Sequence, residues 1–340
     1  MSYRLVHYKH FADVPPEAYE RLWEENGSPA FYHPRFIASA EQFPLLPIAG
    51  ACYLSAWQDD RLCAFLVAWQ QMQPDPFGTL AQSTGIVFTP PEGGLLGHIA
   101  HCYDTRILLL PGAHAAAAAL LEQLADIARA AHLPGCGLLN LPDETSLKEV
   151  VRAAGYKTAF MHHRFAINLR GFSDFDEYVN HLPRDGRHEM RRQLRKFAAS
   201  SGTIQVLPGE EADLSSAVAL AQRTSAKNGT PDYYPHSVFE KFLTACGDLI
   251  SVVQVKYEGK LVSAIICLNE PGCLHLWAGG ADYAHTAWSP YSIMVAAGVQ
   301  HALHQGLSRV EVGRTNPRIK ARLGCQPLSL YSALWQQEEA

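Results

Sequence analysis

Two stretches of this chain read alike, and the likeness constrains its fold more than any other feature of the sequence. Residues 51–69 and 250–268 are each a pair of runs rich in Val, Ile, Leu, Ala and aromatics around a polar turn, at 58–61 and 257–260. Such runs around a short polar turn predict a β-hairpin. What surrounds each hairpin also matches. Helices are predicted before them, over 16–25 and 34–42 in the first half and over 213–228 and 238–246 in the second. After the first hairpin come a strand over 106–110, a helix over 113–132, a strand over 137–141, a helix over 146–154 stopped by Gly155, and a strand over 165–169. After the second come a strand over 273–279, a helix over 291–305 stopped by Gly306, a strand over 309–313, a short helix over 320–323 stopped by Gly324, and a strand over 328–335. A repeat of this length predicts two copies of one α/β (α+β) domain, each a mixed sheet flanked by helices. The division expected is 1–170 and 171–340. Residues 71–98, rich in Pro and Gly, read as an insertion holding one strand over 85–89.

The second domain opens on the only concentrated block of positive charge in a chain of net charge −5. Arg184, Arg187, Arg191, Arg192, Arg195 and Lys196 face only Asp185 and Glu189. The spacing predicts a helix over 184–201. Met190, Leu194 and Phe197 form its apolar stripe, and Arg187, Arg191 and Arg195 run up one flank. Ser200, Ser201 and Gly202 form the stop, with Gly202 suited to a left-handed cap. With a net negative chain, a general nucleic-acid coat is excluded; any polyanion contact is local to this helix.

The eight cysteines show no C-x-x-C and no paired His/Cys spacing, so neither a disulfide framework nor a metal site is predicted. His98 and His101 lack further ligands at suitable spacing. The N-terminal residues are polar, without a signal-peptide core, and no apolar run reaches membrane-spanning length. A cytoplasmic protein is expected.

One such half resembles the GNAT fold of the N-acetyltransferases. Two in tandem, with a basic helix opening the second, resemble the Fem-type aminoacyltransferases. The resemblance rests on the order of short matches: Phe31 to Pro34, the basic stretch, the second hairpin, Trp277 to Asp282, Gln305 and Gly306, and Val312 to Arg314 followed by Ile319 to Gly324. It implies transfer of an acyl or aminoacyl group to an amine of a small-molecule or peptide-like acceptor, with no tightly bound cofactor. Acyl-CoA users carry a Q/R-x-x-G-x-G/A loop whose N–H groups cradle pyrophosphate. Here residues 110–114 and 282–291 lack those glycines, and Trp288 and Pro290 occupy the second stretch. Aminoacyl-tRNA is therefore the preferred donor, acyl-CoA the alternative. A non-catalytic binding protein on a degenerate GNAT fold is the reading outside enzymology.

Amide formation from an activated ester needs a neutral amine, an oriented carbonyl and oxyanion stabilisation, so no catalytic triad is required. His275, on the strand that borders the donor cleft in this fold, is the candidate acid/base, with Asp282 at the strand's end holding an ammonium or capping a loop. Substrate-binding candidates are Arg187, Arg191 and Arg195, Tyr233 and Tyr234 in a Pro-bounded loop, Trp277, Tyr291, and the group Arg314, Asn316 and Lys320 after the strand 309–313. His162, His163 and Arg164 begin the last strand of the first domain, and a surface strand edge explains them as well as a functional role does.

Overall fold

The computed structural model describes residues 3–143, 146–285 and 287–336. In chain order the first half gives β1 (Arg4–Tyr8), α1 (Pro16–Glu25), α2 (Pro34–Gln42), β2 (Ile48–Gln58), β3 (Arg61–Gln71), α3 (Thr79–Thr84), β4 (Gly94–Leu96), β5 (Leu108–Leu109), α4 (His114–Ala130), β6 (Gly135–Pro142), α5 (Leu147–Ala153) and β7 (Lys157–Asn168). The second gives α6 (Phe175–His181), α7 (Arg184–Ala198), β8 (Thr203–Pro208), α8 (Leu214–Lys227), α9 (His236–Cys246), β9 (Ile250–Tyr257), β10 (Lys260–Glu270), β11 (Cys273–Ala281), α10 (Pro290–His304), β12 (Arg309–Glu311), α11 (Pro317–Arg322) and β13 (Gln326–Gln336).

These elements assort into two compact units, Met1–His163 with Ser329–Ala340, and Arg164–Leu328. In the first unit the strand order is β1-β2-β3-β4-β6-β13. All neighbours are antiparallel except the parallel pair β4–β6. In the second unit the order is β8-β9-β10-β11-β12, then the end of β7. All neighbours there are antiparallel except the parallel pair β11–β12. Order and direction therefore repeat strand for strand. The last place in each sheet is filled from the other half of the sequence: Leu330 to Gln336 pair with β6, and Ala166 to Asn168 pair with β12. This exchange is absent from a division into 1–170 and 171–340.

Both hairpins form where composition placed them. The second closes on Glu258 (φ +49°) and Gly259 (φ +76°), the twist that suits a two-residue hairpin turn. Three local expectations differ. Residues 86–89 make no strand, because Gly85 adopts φ +74° and ends α3 instead. The place predicted for 106–110 in the sheet belongs to β4, and only Leu108 and Leu109 of that run pair, with β3. Gly202 is not a left-handed cap: α7 stops where the Ser200 hydroxyl donates to the Phe197 carbonyl at 2.7 Å. Gly202 is small because the Phe197 ring lies where its Cβ would be.

In the second unit the sheet buries one face under α10, whose Ile293, Met294, Val295 and Val299 are at most 2% exposed. Each such side chain contributes about 1.5–3 kcal/mol on leaving water. The other face carries α8 and α9. Gly280 on β11 allows α8 to cross directly over the strand, since a Cβ there would overlap the Leu220 backbone.

Candidate functional site

The basic helix α7 packs through Gly186, Met190 and Gln193, all buried, with Leu194 and Phe197 partly so. Phe197 meets Trp288 edge-on, 5.0 Å between ring centroids. The remaining face is open. Arg184, Asp185, Arg187, His188, Arg191 and Arg195 line a cavity of roughly 630 Å³. Its shape is set by two anchors. Arg187 donates to the Asn180 carbonyl at 2.7 Å, and Arg191 donates to the Asn180 side-chain oxygen. So one residue at the end of α6 aligns two of the three flank arginines. Arg192 leaves this face for a bidentate pair with Glu189, at 2.9 and 2.7 Å, which holds that carboxyl down at about 2. A wall of guanidinium groups around an open cavity suits phosphate or another multivalent anion.

α11 backs this wall. Gly186 lets its backbone touch α7, and Arg322 donates to Asp185 at 2.9 Å. On the buried side of α11 lies Lys320, only 2% exposed. Burial pushes its ammonium down to about 7; Arg314 pushes the same way, and Cys325 and Glu311 oppose. The Nζ sits 5.1 Å from the centre of the Phe165 ring. An amine partly neutral near pH 7 can take up or give a proton, a property the sequence alone did not reveal. Arg314 donates to the Tyr233 hydroxyl at 3.0 Å, which ties the aromatic loop to the end of β12. Asn316 starts α11 in a left-handed conformation, φ +59°, and its side chain is exposed.

At the N-terminus of α10, where a pyrophosphate cradle would lie, two backbone donors are already used. The Ser289 N–H donates to the Gln193 side-chain oxygen at 2.7 Å, and the Ser292 N–H donates to Ser289 Oγ at 3.3 Å. Pro290 has no N–H, and Trp288 is buried beside them. Tyr291 follows, half-buried, with its phenol pushed up to about 12 by burial.

The other candidates fall elsewhere. His275 lies at the beginning of β11, 4% exposed, with Nε2 3.1 Å from a Glu270 oxygen. Burial lowers its proton affinity, but Cys273 and the Glu270 carboxylate more than offset this, so it stands above the ordinary histidine value. It does not face the open end of the strand, where α/β sheets place ligands. Trp277 is 6% exposed and packs against Phe239 and Phe242, with Tyr234 stacked on Phe239 at 4.9 Å. This is an aromatic core. Asp282 accepts the Ala284 N–H at 3.1 Å and shapes the loop before α10. Arg164 is no surface residue: it is 5% exposed and 3.3 Å from the fully buried Glu311. An alternating strand pattern could not signal this pair, because its partner comes from the other half of the sequence.

Residues 184–321 match the acetyltransferase (GNAT) domain family. No curated protein matches the chain. Among solved structures, FemX is similar with a TM-score of 0.66 at 12% identity, over 97% of this chain and 96% of that one. A tandem GNAT protein from the clavulanic acid biosynthesis pathway gives 0.59 at 11%, over 100% of both. The C-terminal domain of a protein from Agrobacterium fabrum, described as a lysylphosphatidylglycerol synthetase, gives 0.60 at 12%, over 95% of this chain and 93% of that one. At such identities the likeness is one of fold. No helix among the described residues is long and apolar enough to cross a membrane. With one strand order used twice and tandem structures matched end to end, the chain has a tandem GNAT fold whose second unit holds the stretch that matches the acetyltransferase (GNAT) domain family.

Proposed function

We propose that this protein is an N-acyltransferase that takes an aminoacyl group from aminoacyl-tRNA and forms an amide bond with the amine of a small-molecule or peptide-like acceptor. The observation that carries the reading is the contrast between the N-terminus of α10, short of available N–H groups, and the face of α7. Gln193 and the Ser289 hydroxyl occupy the N–H groups of Ser289 and Ser292, and Pro290 has none, while the arginine face of α7 stays open. A donor held by an extended phosphate backbone uses the second feature and does not need the first. Arg187, Arg191 and Arg195 would bind donor or acceptor phosphates. Arg314, Tyr233, Asn316 and Tyr291 would border the acceptor. Lys320 would relay the proton that the attacking ammonium must lose. The amine nitrogen attacks the ester carbonyl, the tRNA 3′-oxygen leaves with a proton, and one amide forms.

Acyl-CoA is the second reading, favoured by the match of residues 184–321 to acetyltransferase domains. The test is to incubate the purified protein with a mixed charged-tRNA pool and an amine-rich metabolite extract, and in parallel with acetyl-CoA. Amine-dependent deacylation of tRNA is expected. Release of free CoA thiol with intact aminoacyl-tRNA would move the assignment to acyl-CoA. Salt-dependent tRNA binding without turnover in either assay would identify a binding protein. A cytoplasmic location follows from this reading, since charged tRNA is found there.

A further inference from the structure

We propose that Glu270, Cys273 and His275 form a binding site for one thiophilic divalent cation, of the Zn²⁺ class, at the turn between β10 and β11. Their ligand atoms, a carboxylate oxygen, a thiol sulfur and an imidazole nitrogen, all lie within 4.8 Å of one another. The sheet register produces this. Glu270 and Cys273 are partners across the hairpin, and Cys273 and His275 are two apart on one strand, so all three side chains leave the same face. Atoms bound to one tetrahedral ion at about 2.0–2.3 Å lie about 3.3–3.8 Å apart, so an ion would draw this cluster inward by at most about 1.5 Å. The donor set, one S, one N and one O, suits a borderline-soft ion rather than Mg²⁺ or Ca²⁺.

The surroundings agree. The Cys273 and His275 side chains are buried, whereas the Glu270 side chain is 16% exposed and Pro271 and Gly272 are at the surface, so an ion can enter from the turn. Trp277, two residues beyond His275 on β11 and packed on Phe242, is buried on the same face. The neighbouring Glu311 carboxylate is taken up by Arg164 and Arg309, so the ion's own ligands are one carboxylate and one thiolate, which balance its two charges. Binding replaces the Cys273 thiol proton and the proton held on His275 with metal–sulfur and metal–nitrogen bonds, and releases both protons to solvent. Three protein ligands leave the fourth position for water. The ion would pin β10 to β11 just where β11 meets β12, because the parallel pairing spans only Cys273 to His275.

The test is titration of the full-length protein, freed of metal by chelator, with Co²⁺ as the spectroscopic stand-in for Zn²⁺. One equivalent should bind with a thiolate-to-cobalt charge-transfer band and tetrahedral visible absorption, and Zn²⁺ should bleach both. Cys273→Ser should abolish the charge-transfer band. Glu270→Gln, at the exposed rim and expected to fold, should weaken binding by about tenfold or more, since even loss of an outer-shell partner costs that much. Absence of the band in the wild-type protein would overturn the site. So would a band that persists in folded Cys273→Ser, or unchanged affinity in Glu270→Gln.

Discussion

The side-chain oxygen of buried Gln193 on α7 accepts the backbone N–H of Ser289, the residue that caps α10, at 2.7 Å. The amide nitrogen of Gln193 donates to Glu189, also at 2.7 Å, so the residue is used on both sides. Gln193→Ala should leave the Ser289 N–H without its acceptor, while the Glu189 oxygen keeps Arg192. The expected loss is about 1–3 kcal/mol of stability, from the cost of unpaired polar groups. Urea denaturation followed by far-UV circular dichroism measures it. Calorimetry with CoA should show no sub-micromolar binding to the wild-type protein.

Gly186 gives a substitution whose sign departs from helix propensity. In an exposed helix Gly→Ala is worth about 0.5–1 kcal/mol of added stability. Here the new Cβ would overlap the Arg322 carbonyl oxygen. Gly186→Ala should therefore destabilise by about 1–3 kcal/mol, the usual cost of overpacking. An unchanged or raised melting temperature would show that α7 and α11 are not in contact in solution.

The flank arginines should separate binding from folding. Replacing Arg195 by Ala should leave stability within about 0.5 kcal/mol. Under the proposed function it should cost about 1–3 kcal/mol of tRNA affinity and reduce the salt slope by a little under one unit. Arg187→Ala and Arg191→Ala should lose binding similarly and also free Asn180, because both donate to it. Fluorescence titration at several salt concentrations reads both quantities. A folded triple Ala variant with full tRNA affinity would remove α7 from the site.

Lys320 should make stability depend on pH. Its folded pKa, about 7, lies below the ordinary 10.5, so between these values the unfolded chain binds more protons than the folded one. Unfolding free energy contributed by this residue then rises with pH across that window and is lowest at and below about pH 7. Lys320→Met should be more stable than wild type at pH 7, by an amount on the order of a few kcal/mol, with the advantage shrinking towards pH 10. A difference that stays constant from pH 7 to 10 would mean that the amine is solvated in the folded protein.

The sequence by itself determined the local elements of both halves. The hairpins follow from β-rich runs around polar turns, and α7 follows from apolar residues at helical spacing, which left its arginines only the outer face. The repeat, and with it the fold class, is a property of the order of such elements and was legible for the same reason. Tertiary structure decided what depends on partners far apart in the chain. That β13 completes the first sheet and the end of β7 the second is a choice among equally apolar strands, made by whole-unit pairing and not by local propensity. Lys320 and Arg314 look alike in a basic run, yet α11 turns Lys320 into the core while Arg314, before that helix, reaches Tyr233. Trp277 alternates with His275 on β11, but only the packing of α9 makes it a core residue. The grouping of Glu270, Cys273 and His275 needed the register across the hairpin. Periodicity gives the face a side chain leaves from; the energy of burying or pairing it is set by what the rest of the chain brings to that face.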